Sequence, residues 1–371
     1  MRILFLIDGL HSGHGVAVAA AWMADALGAA GHEPLVVGSE AVAASELLGR
    51  DPRFECVRME PLVGSVLQRA RRVAEVASDI DKLAADCVVL VTFPYDRLAG
   101  CLQAPTICYD HGSVPRRGTA LPLRCALAVV AASAVTARRR SVGVVTVSDW
   151  LANRMGRWTD RSRIRVVPNG ADHMEVLRGT MLPERPDARG KLGLPMQGFV
   201  ALTIGRMVRE ARYKGVDKLA IALDRAGYFR CGGVLLSAGD AEEGECARLR
   251  AAGVTVLGRL SAHGLGLAFA ACDLVVSAST WEGFNLPLLE AQWLGLPVMA
   301  LRRCAHPEVV YDKRSLVRTI GDLARRLSSL QVNGSDAAVD GADERRAFAR
   351  RFTWQSAGEQ FEAAVEDLLG G

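Results

Sequence analysis

The chain has 371 residues, of which 50% are hydrophobic and 23% are charged, and its formal net charge at pH 7 is +4. This composition is typical of a soluble globular protein long enough for two domains, and it excludes a disordered or fibrous chain. The nine cysteines are an odd number and include no C-x-x-C pair. Reduced core cysteines are therefore expected, without a disulfide framework or a metal site.

The N-terminus passes from a short apolar run, residues 3–7, directly into a polar turn at Asp8. This pattern predicts a first buried strand and no signal peptide. A cytoplasmic location is therefore expected.

Strand-like and helical segments alternate along the chain, which predicts parallel sheets covered by helices. In the first half, the predicted strands are 3–7, 34–37, 87–92, 106–109 and 143–147. In the second half, they are 199–204, 233–238, 255–257, 274–277 and 298–301. Each half is long enough for its own doubly wound sheet, whose ligands bind beyond the carboxyl ends of the strands. Two such sheets facing each other would enclose a cleft.

Two polar segments follow predicted strands of the first half. The sequence G-L-H-S-G-H-G-V, residues 9–16, opens a helix expected to run to about Ala30. Its glycines allow close approach to a phosphate, but it lacks G-x-G-x-x-G, which disfavours a dinucleotide site. His111 follows the strand 106–109 at the inferred edge of the cleft, where a histidine could donate a hydrogen bond to a ligand. The alternative is a structural histidine.

Eleven arginines but only two acidic residues lie between residues 111 and 165. Such a basic stretch fits an anionic ligand or an acidic membrane surface, whereas a solvated helix face is the simpler explanation. Residues 125–137 are apolar except for Ser133 and Thr136, but they are too few to span a bilayer, which needs about 20 residues. They predict a buried helix.

The segment R-V-V-P-N-G-A-D, residues 165–172, predicts a short strand that enters a Pro-Asn-Gly turn. The turn-rich residues 171–198 that follow suit a linker. A domain boundary is therefore expected near residue 168.

The segment T-W-E-G-F-N-L-P-L-L-E-A, residues 280–291, places two carboxylates around the start of one predicted helix. Pro287 suits the first helical turn, so Glu282 falls in the preceding loop and Glu290 on the second turn. The amides and dipole of a helix start suit a phosphate beside a polyhydroxylated group. The carboxylates would accept hydrogen bonds from its hydroxyls. An amphipathic core helix with two incidental glutamates is the alternative.

This segment resembles the signature E-G-F-G-L-P-x-x-E-A of the retaining glycosyltransferases of family four, also called glycosyl transferases group 1. The resemblance implies the GT-B fold, in which two Rossmann-like doubly wound domains face a central cleft. Residues 165–172 resemble the V-P-N-G-V-D that begins the second domain, and 351–354 resemble the F-S-W before the last helices. It implies an acceptor domain 1–168, on which helices from about 353–371 pack, and a donor domain 169–352.

The resemblance also implies roles for individual residues. L-T-I-G-R (202–206) and K-G-V-D-K-L (214–219) resemble V-G-R-L…K-G-x-x-x-L, whose cations hold the donor diphosphate. The spacing is longer than usual, so Arg209 or Arg212 could replace Lys214. The implied catalytic residues are His111, Arg206, Lys214 and Glu282. The implied donor-binding residues are Gly15, Gly205, Arg206, Lys214, Gly258, Glu282, Gly283, Phe284, Asn285, Leu286 and Glu290, with Glu290 on the ribose and Glu282 on the sugar.

Several positions depart from the family pattern. His14 replaces the first glycine of the Gly-Gly pair in the first loop, and Asn285 replaces a glycine, so a sugar contact from its side chain is expected. His306, Pro307 and Glu308 retain only the second half of G-G-x-P-E-V-V, which predicts a trimmed sheet edge. Residues 256–259 match the place where the family holds the base, mostly through backbone atoms.

The resemblance predicts transfer of a hexose-type sugar from a nucleotide-diphosphate sugar to an acceptor hydroxyl, with retention and without a metal or cofactor. UDP is favoured as the nucleotide of the donor, and GDP is possible. The acceptor is a small secondary metabolite or a phosphorylated or lipid-linked molecule, selected by loops such as 59–68 and 93–97. No nucleic acid and at most peripheral membrane contact are expected. The alternatives are a nucleotide-sugar epimerase, a sugar phosphorylase and a non-catalytic nucleotide-sugar-binding protein.

Overall fold

The computed structural model describes residues 1–10, 15–38, 44–112, 121–175, 182–333 and 341–370. The chain divides into two compact units, Met1–Gly170 with Thr353–Gly371, and Ala171–Phe352. The boundary expected near residue 168 lies two residues before the end of the first segment.

The first unit is built on a seven-stranded parallel sheet with the order β3-β2-β1-β4-β5-β6-β7. Its strands are β1 Arg2–Leu6, β2 Glu33–Gly38, β3 Glu55–Arg58, β4 Cys87–Leu90, β5 Thr106–Asp110, β6 Gly143–Thr146 and β7 Ile164–Val166. The inner strands are continuous apolar runs because helices cover both faces of such a sheet. The strand β3 was not predicted, since its residues E-C-V-R lie mostly exposed at the sheet edge.

Seven helices of the first unit lie within the described residues. They are Gly15–Ala29, Ala44–Leu48, Val66–Arg72, Ala77–Asp81, Leu121–Arg140, Asp149–Met155 and Trp354–Gly370. Three 3₁₀ turns accompany them, at Val73–Val76, Tyr95–Leu98 and Arg161–Arg163. Phe361 of the last helix places its ring 5.8 Å from that of Phe5 and 5.2 Å from that of Tyr109. The C-terminal helix therefore completes the core of the first unit.

The second unit contains a six-stranded parallel sheet with the order β10-β9-β8-β11-β12-β13. Its strands are β8 Val200–Ile204, β9 Val234–Ala238, β10 Val254–Gly258, β11 Leu274–Ser277, β12 Val298–Leu301 and β13 Leu316–Val317. Its described helices are Arg185–Lys191, Val216–Arg225, Glu243–Ala251, Ala262–Ala271, Leu286–Trp293, His306–Val309, Ile320–Asn333 and Ala342–Ala349, with 3₁₀ turns at Arg209–Lys214 and Lys313–Ser315. The prediction of two parallel α/β sheets is confirmed.

Two expectations about burial need correction. The helix Leu121–Arg140 is not buried, because only Ser133, Ala137 and Arg138 are buried among its residues 124–140. The apolar run gave no sign of which face meets solvent. None of the nine cysteines, all within the described residues, forms a disulfide, but only four of them are buried: Cys87, Cys108, Cys246 and Cys272.

Candidate functional site

The two glutamates of the 280–291 segment lie where the sequence places them. The helix runs over Leu286–Trp293 with Pro287 in its first turn, so Glu282 lies in the loop before it and Glu290 on its second turn. Both are buried, with exposed fractions of 9% and 7%. Phe284 and Leu286 are also buried. Their side chains therefore support the loop, and only their backbone is left to contact a ligand.

Lys214 and Glu282 form the polar centre of the second unit's site. The Lys214 Nζ donates to Glu282 Oε1 at 2.7 Å. A Cβ on Gly205 would lie 3.3 Å from Lys214 Cε, so the glycine leaves the lysine just enough room. Burial alone would lower the pKa of Lys214, but the Glu282 carboxylate outweighs it and holds that pKa above its usual value. Lys214 therefore carries its positive charge at neutral pH.

The extra residues between Arg206 and Lys214 form the 3₁₀ turn Arg209–Lys214. This turn is fastened to the 280–291 segment, since the N–H of Thr280 donates to the Tyr213 carbonyl at 2.9 Å. Arg212 is engaged elsewhere, because its Nε donates to Glu245 Oε1 at 3.1 Å. Of the three candidate cations on the turn, Lys214 is the one that reaches Glu282.

Arg206 is half-buried and lies close enough to Lys214 for its positive charge to lower the pKa of that lysine, against the larger rise caused by Glu282. It makes no hydrogen bond or ion pair with the described residues. Its guanidinium is thus available to an anion beside Lys214.

Asn285 is engaged by the protein itself, which differs from the expected sugar contact. Its Nδ2 donates to Ser277 Oγ and to His306 Nε2, both at 2.9 Å. The His306 Nδ1 in turn lies 2.6 Å from the Leu301 carbonyl, which assigns the proton to Nδ1 and leaves Nε2 as the acceptor. Burial lowers the pKa of His306, so the ring is neutral at pH 7. This buried network fixes the loop that precedes the helix.

Glu290 has a partner that the sequence did not suggest. His173 Nε2 lies 2.9 Å from Glu290 Oε1, and the two residues are 117 positions apart. Oε2 of Glu290 makes no hydrogen bond to the described residues. One carboxylate oxygen is therefore held in place while the other can meet a ligand.

Gly258 lies at a pocket of about 410 Å³ on the second unit, lined also by Val208, Asp240 and Arg259. Its φ of 72° falls in the left-handed region that favours glycine, at an irregularity in the pairing of β10 with β9. The pocket has the volume typical of a small-ligand site.

Gly283 lies in the loop before the helix Leu286–Trp293, and the other predicted residues belong to the first unit. Gly15 begins the helix Gly15–Ala29, and a Cβ there would meet no atom within 4 Å. His14 lies outside the described residues. His111 follows β5, with its ring 4.2 Å from that of Tyr109. Its neighbour Asp110 pairs with Arg138.

The arginines of the basic stretch 111–165 are less available to an anionic partner than the composition indicates. Arg138, Arg163 and Arg165 bond to Asp110, to the Val142 carbonyl and to Asp367. Arg116 and Arg117 lie outside the described residues. Part of this positive charge is therefore compensated within the first unit.

No group of three or more His, Cys, Asp or Glu side chains in the described residues could hold a metal ion. No helix in that part of the chain is long and apolar enough to cross a membrane.

Sequence reasoning missed His173 and the role of His306. Both lie inside segments that carry family motifs, His173 just after V-P-N-G and His306 before Pro307 and Glu308. A histidine near a motif was the available signal, but its partner is set by the fold.

Two family models match the chain. The model described as glycosyltransferase family 4 covers residues 13–175, and that described as glycosyl transferases group 1 covers residues 198–333. Together they match most of the chain, one in each half.

Curated relatives match parts of the chain. A D-inositol 3-phosphate glycosyltransferase of Corynebacterium jeikeium is 31% identical over 224 residues, which is 55% of this chain and 52% of that protein. An MMP alpha-(1->4)-mannosyltransferase of Mycolicibacterium hassiacum is 31% identical over 115 residues, 30% of this chain and 28% of that protein. The matches therefore span about half the length of these relatives or less.

Solved structures match over the whole length. The sucrose-phosphate synthase of Thermosynechococcus elongatus has a TM-score of 0.76 at 17% identity and covers 100% of this chain and 99% of its own. HepE of Anabaena, solved with UDP and glucose, has a TM-score of 0.76 at 21% identity and covers 99% of both chains. These likenesses show the fold, and with the two family models they establish that the chain belongs to the group 1, family 4 glycosyltransferases of the GT-B fold.

Proposed function

We propose that the chain transfers a hexose-type sugar from a nucleotide-diphosphate sugar to an acceptor hydroxyl, with retention at the anomeric carbon. The observation that carries this proposal is the Lys214–Glu282 pair, held over Gly205 beside the start of the helix Leu286–Trp293. A cation for phosphate and a carboxylate for sugar hydroxyls are thus adjacent in a mostly buried position. A sugar diphosphate carries both phosphates and sugar hydroxyls, so it can use both groups.

The donor would be held along the second unit. Arg206 and Lys214 stabilise the charge that develops on the departing diphosphate, since fixed cations away from bulk water act strongly on such charge. Glu282 accepts hydrogen bonds from the sugar. Glu290, with Oε1 held by His173, offers Oε2 to a ribose hydroxyl. The pocket beside Gly258 takes the base.

Retention follows from the family resemblance. No carboxylate is assigned as a nucleophile toward the anomeric carbon, since Glu282 is paired with Lys214. Attack from the face of the leaving phosphate, which takes the acceptor's proton, needs no such residue. Arg206 and Lys214 supply the positive charge that a metal ion would otherwise provide. The sequence has no D-x-D motif in a position that suits a metal site. Activity should therefore survive EDTA.

The test is a panel of UDP-, GDP-, ADP- and dTDP-sugars, scored by thermal shift and by slow release of nucleoside diphosphate without an acceptor. The UDP sugars come first because HepE was solved with UDP and glucose. We expect one base to stabilise the protein and its donor to be slowly hydrolysed. Release in the Arg206→Ala variant should fall at least 100-fold, because the leaving group loses a charge-assisted partner.

Arg209→Ala is the matched control. Arg209 lies on the adjoining 3₁₀ turn, its side chain is exposed, and only its backbone N–H bonds to Glu242, so the variant should behave as wild type. Wild-type release by Arg206→Ala would refute the assigned role. Stabilisation without any release would favour a binding protein, and turnover that requires inorganic phosphate would favour a phosphorylase.

A further inference from the structure

The pocket beside Gly258 is the place on the second unit where the base of the donor is expected. It lies beyond the carboxyl ends of β9 and β10, the edge of a parallel sheet at which ligands bind. Val208, Val256 and Leu257 line it with apolar side chains, and a Cβ on Gly258 would meet no atom within 4 Å. The flat face of a base can therefore lie against apolar groups and the open backbone of the glycine.

The polar wall of this pocket is an ion pair at the ends of the two strands. Asp240 lies two residues after β9, Arg259 directly follows β10, and both line the pocket. Arg259 Nε donates to Asp240 Oδ1. The Asp240 carbonyl also accepts from the Met207 N–H at 2.6 Å, so the backbone and the side chain of Asp240 are both held in place.

This ion pair keeps hydrogen-bonding capacity that the protein does not use. Within the described residues, Asp240 Oδ2 accepts no hydrogen bond and the two Nη atoms of Arg259 donate none. The side chain of Asp240 is only 18% exposed, whereas that of Arg259 is 54% exposed. The pocket therefore offers a ligand a fixed carboxylate acceptor directly beside guanidinium donors.

A second ion pair of the pocket lies in solvent. Arg250 Nη1 donates to Glu243 Oε1 at 3.0 Å, and the exposed fractions of the two side chains are 52% and 83%. Water screens such a pair and competes for its hydrogen bonds, so this pair contributes little to the choice of a base. Asp240 is therefore the carboxylate of this pocket that can discriminate among bases.

The bases differ in the groups that they present to such a carboxylate. Guanine has two adjacent donors, N1–H and the N2 amino group, next to the acceptor O6. Uracil has one donor, N3–H, between two carbonyl oxygens, and adenine has one amino group between ring nitrogens that accept. A carboxylate can accept from both guanine donors at once while a neighbouring arginine donates to O6. Against uracil, the same carboxylate gains one hydrogen bond and meets the O2 carbonyl, which places two acceptors opposite each other.

We propose that Asp240 and Arg259 make this pocket selective for guanine, so that the donor of this chain is a GDP-sugar. The inference rests on the transferase function proposed above and names the nucleotide of its donor. HepE was solved with UDP and glucose, but at 21% identity that likeness shows the fold alone.

The test measures the dissociation constants of GDP, UDP and xanthosine diphosphate by titration calorimetry. The wild type should bind GDP at least tenfold more tightly than UDP. Asp240→Asn keeps the size of the side chain but replaces one acceptor oxygen with an amino group that donates. Its affinity for GDP should therefore fall at least tenfold. Xanthosine diphosphate, which has a carbonyl in place of the guanine amino group, should gain affinity relative to GDP.

Asp217→Asn is the matched control. Asp217 Oδ2 accepts from Arg248 Nη1 at 2.8 Å and its side chain is 21% exposed, so its pairing and burial resemble those of Asp240. Asp217 does not line the pocket, so this variant should keep the nucleotide preference of the wild type. Similar melting temperatures of the two variants would show that a loss of GDP affinity in Asp240→Asn is not a loss of the fold.

Equal affinity of the wild type for GDP and UDP, or an unchanged ratio of the two affinities in folded Asp240→Asn, would overturn the assignment. Slow hydrolysis of a UDP-sugar would in that case still support the transferase function. If the wild type binds none of the three nucleotides and hydrolyses no donor, the transferase function and the inference both fail.

Discussion

Asn285 has a backbone conformation that usually belongs to glycine. Its φ of 75° and ψ of 64° lie in the left-handed region, where a side chain with a Cβ is strained. Asparagine tolerates this region better than most residues, and here its amide also satisfies Ser277 and His306. In this loop, the hydrogen bonds of the Asn285 amide therefore offset the strain that a glycine at the same position would avoid.

Substitution of Asn285 separates the effect of its side-chain hydrogen bonds from the effect of its backbone strain. Asn285→Gly should lower the free energy of unfolding by about 1 to 3 kcal/mol, because His306 Nε2 loses its buried donor. Asn285→Ala should lose roughly 1 kcal/mol more, because alanine adds the strain of a Cβ in the left-handed region. Urea unfolding of both variants is the measurement. Equal stability of the two variants would mean that the backbone is not left-handed.

The pH dependence gives a second readout of the same network. The pKa of His306 is lowered by burial below its ordinary 6.5, so the neutral ring's contribution is complete above pH 6.5 and is lost as the pH falls. Protonation turns Nε2 into a donor that faces the Asn285 amide. The stability difference between wild type and Asn285→Gly should therefore shrink below pH 6.5.

The residue scale shows where sequence reasoning stops. Lys214, Glu282 and Glu290 could be named because they lie in local motifs. Their partners could not, since His173 meets Glu290 across 117 positions of the chain and only the fold joins them. The side chain of Asn285 was assigned to a ligand for the same reason: its neighbours Ser277 and His306 were unknown.

At the scale of elements, the 3₁₀ turn Arg209–Lys214 shows how the fold absorbs an insertion. The turn sends Arg212 toward Glu245 of the helix Glu243–Ala251 and Lys214 toward Glu282. Its position is fixed by Thr280, whose N–H and hydroxyl both donate to the Tyr213 carbonyl. The sequence showed the extra length but not which cation would face the site.

Because Lys214 faces the site and Arg212 does not, substitutions of these two residues should have unequal effects. Lys214→Met should reduce donor turnover at least 100-fold, because the leaving diphosphate loses a cation and Glu282 loses its partner. Arg212→Met should change turnover less than threefold, because its ion pair with Glu245 is half-exposed and lies outside the site. Steady-state hydrolysis of the donor measures both. A larger loss in Arg212→Met than in Lys214→Met would reverse the assignment of the two cations.

Elements that were predicted well share one property. Buried apolar runs such as β8 and β11 end within a residue of their predicted bounds, because burial on both faces leaves a continuous signal. The failures lie at exposed positions. The strand β3 is polar and mostly exposed, and the helix Leu121–Arg140 carries an apolar run whose exposure depends on what packs against it.

At the scale of the whole molecule, the chain passes between the two units twice, and the two crossings lie side by side. The Ala171 N–H donates to the Phe352 carbonyl at 2.9 Å within the second unit. Within the first unit, Gly170 packs against Thr353 and Trp354. The close packing of Thr353 and Trp354 therefore explains why the P-N-G turn needs a glycine at position 170, which the motif alone does not show.

Gly170→Ala tests that reason. A Cβ there would lie 2.6 Å from the carbonyl carbon of Thr353 and also too close to the backbone nitrogen of Trp354, and backbone atoms cannot move aside as a side chain can. We expect a loss of about 2 kcal/mol in the stability of the first unit, the usual cost of overpacking. Scanning calorimetry should show a lower melting temperature.

Gly190→Ala is the control, since its Cβ would meet nothing within 4 Å and the residue lies in the helix Arg185–Lys191. Alanine is favoured over glycine in a helix by about 0.5 to 1 kcal/mol, so this variant should be as stable as the wild type or more stable. If Gly170→Ala melts like Gly190→Ala, the two crossings cannot lie as close as the structure places them. A selective loss in Gly170→Ala would instead show that the paired crossings contribute to the stability of the first unit.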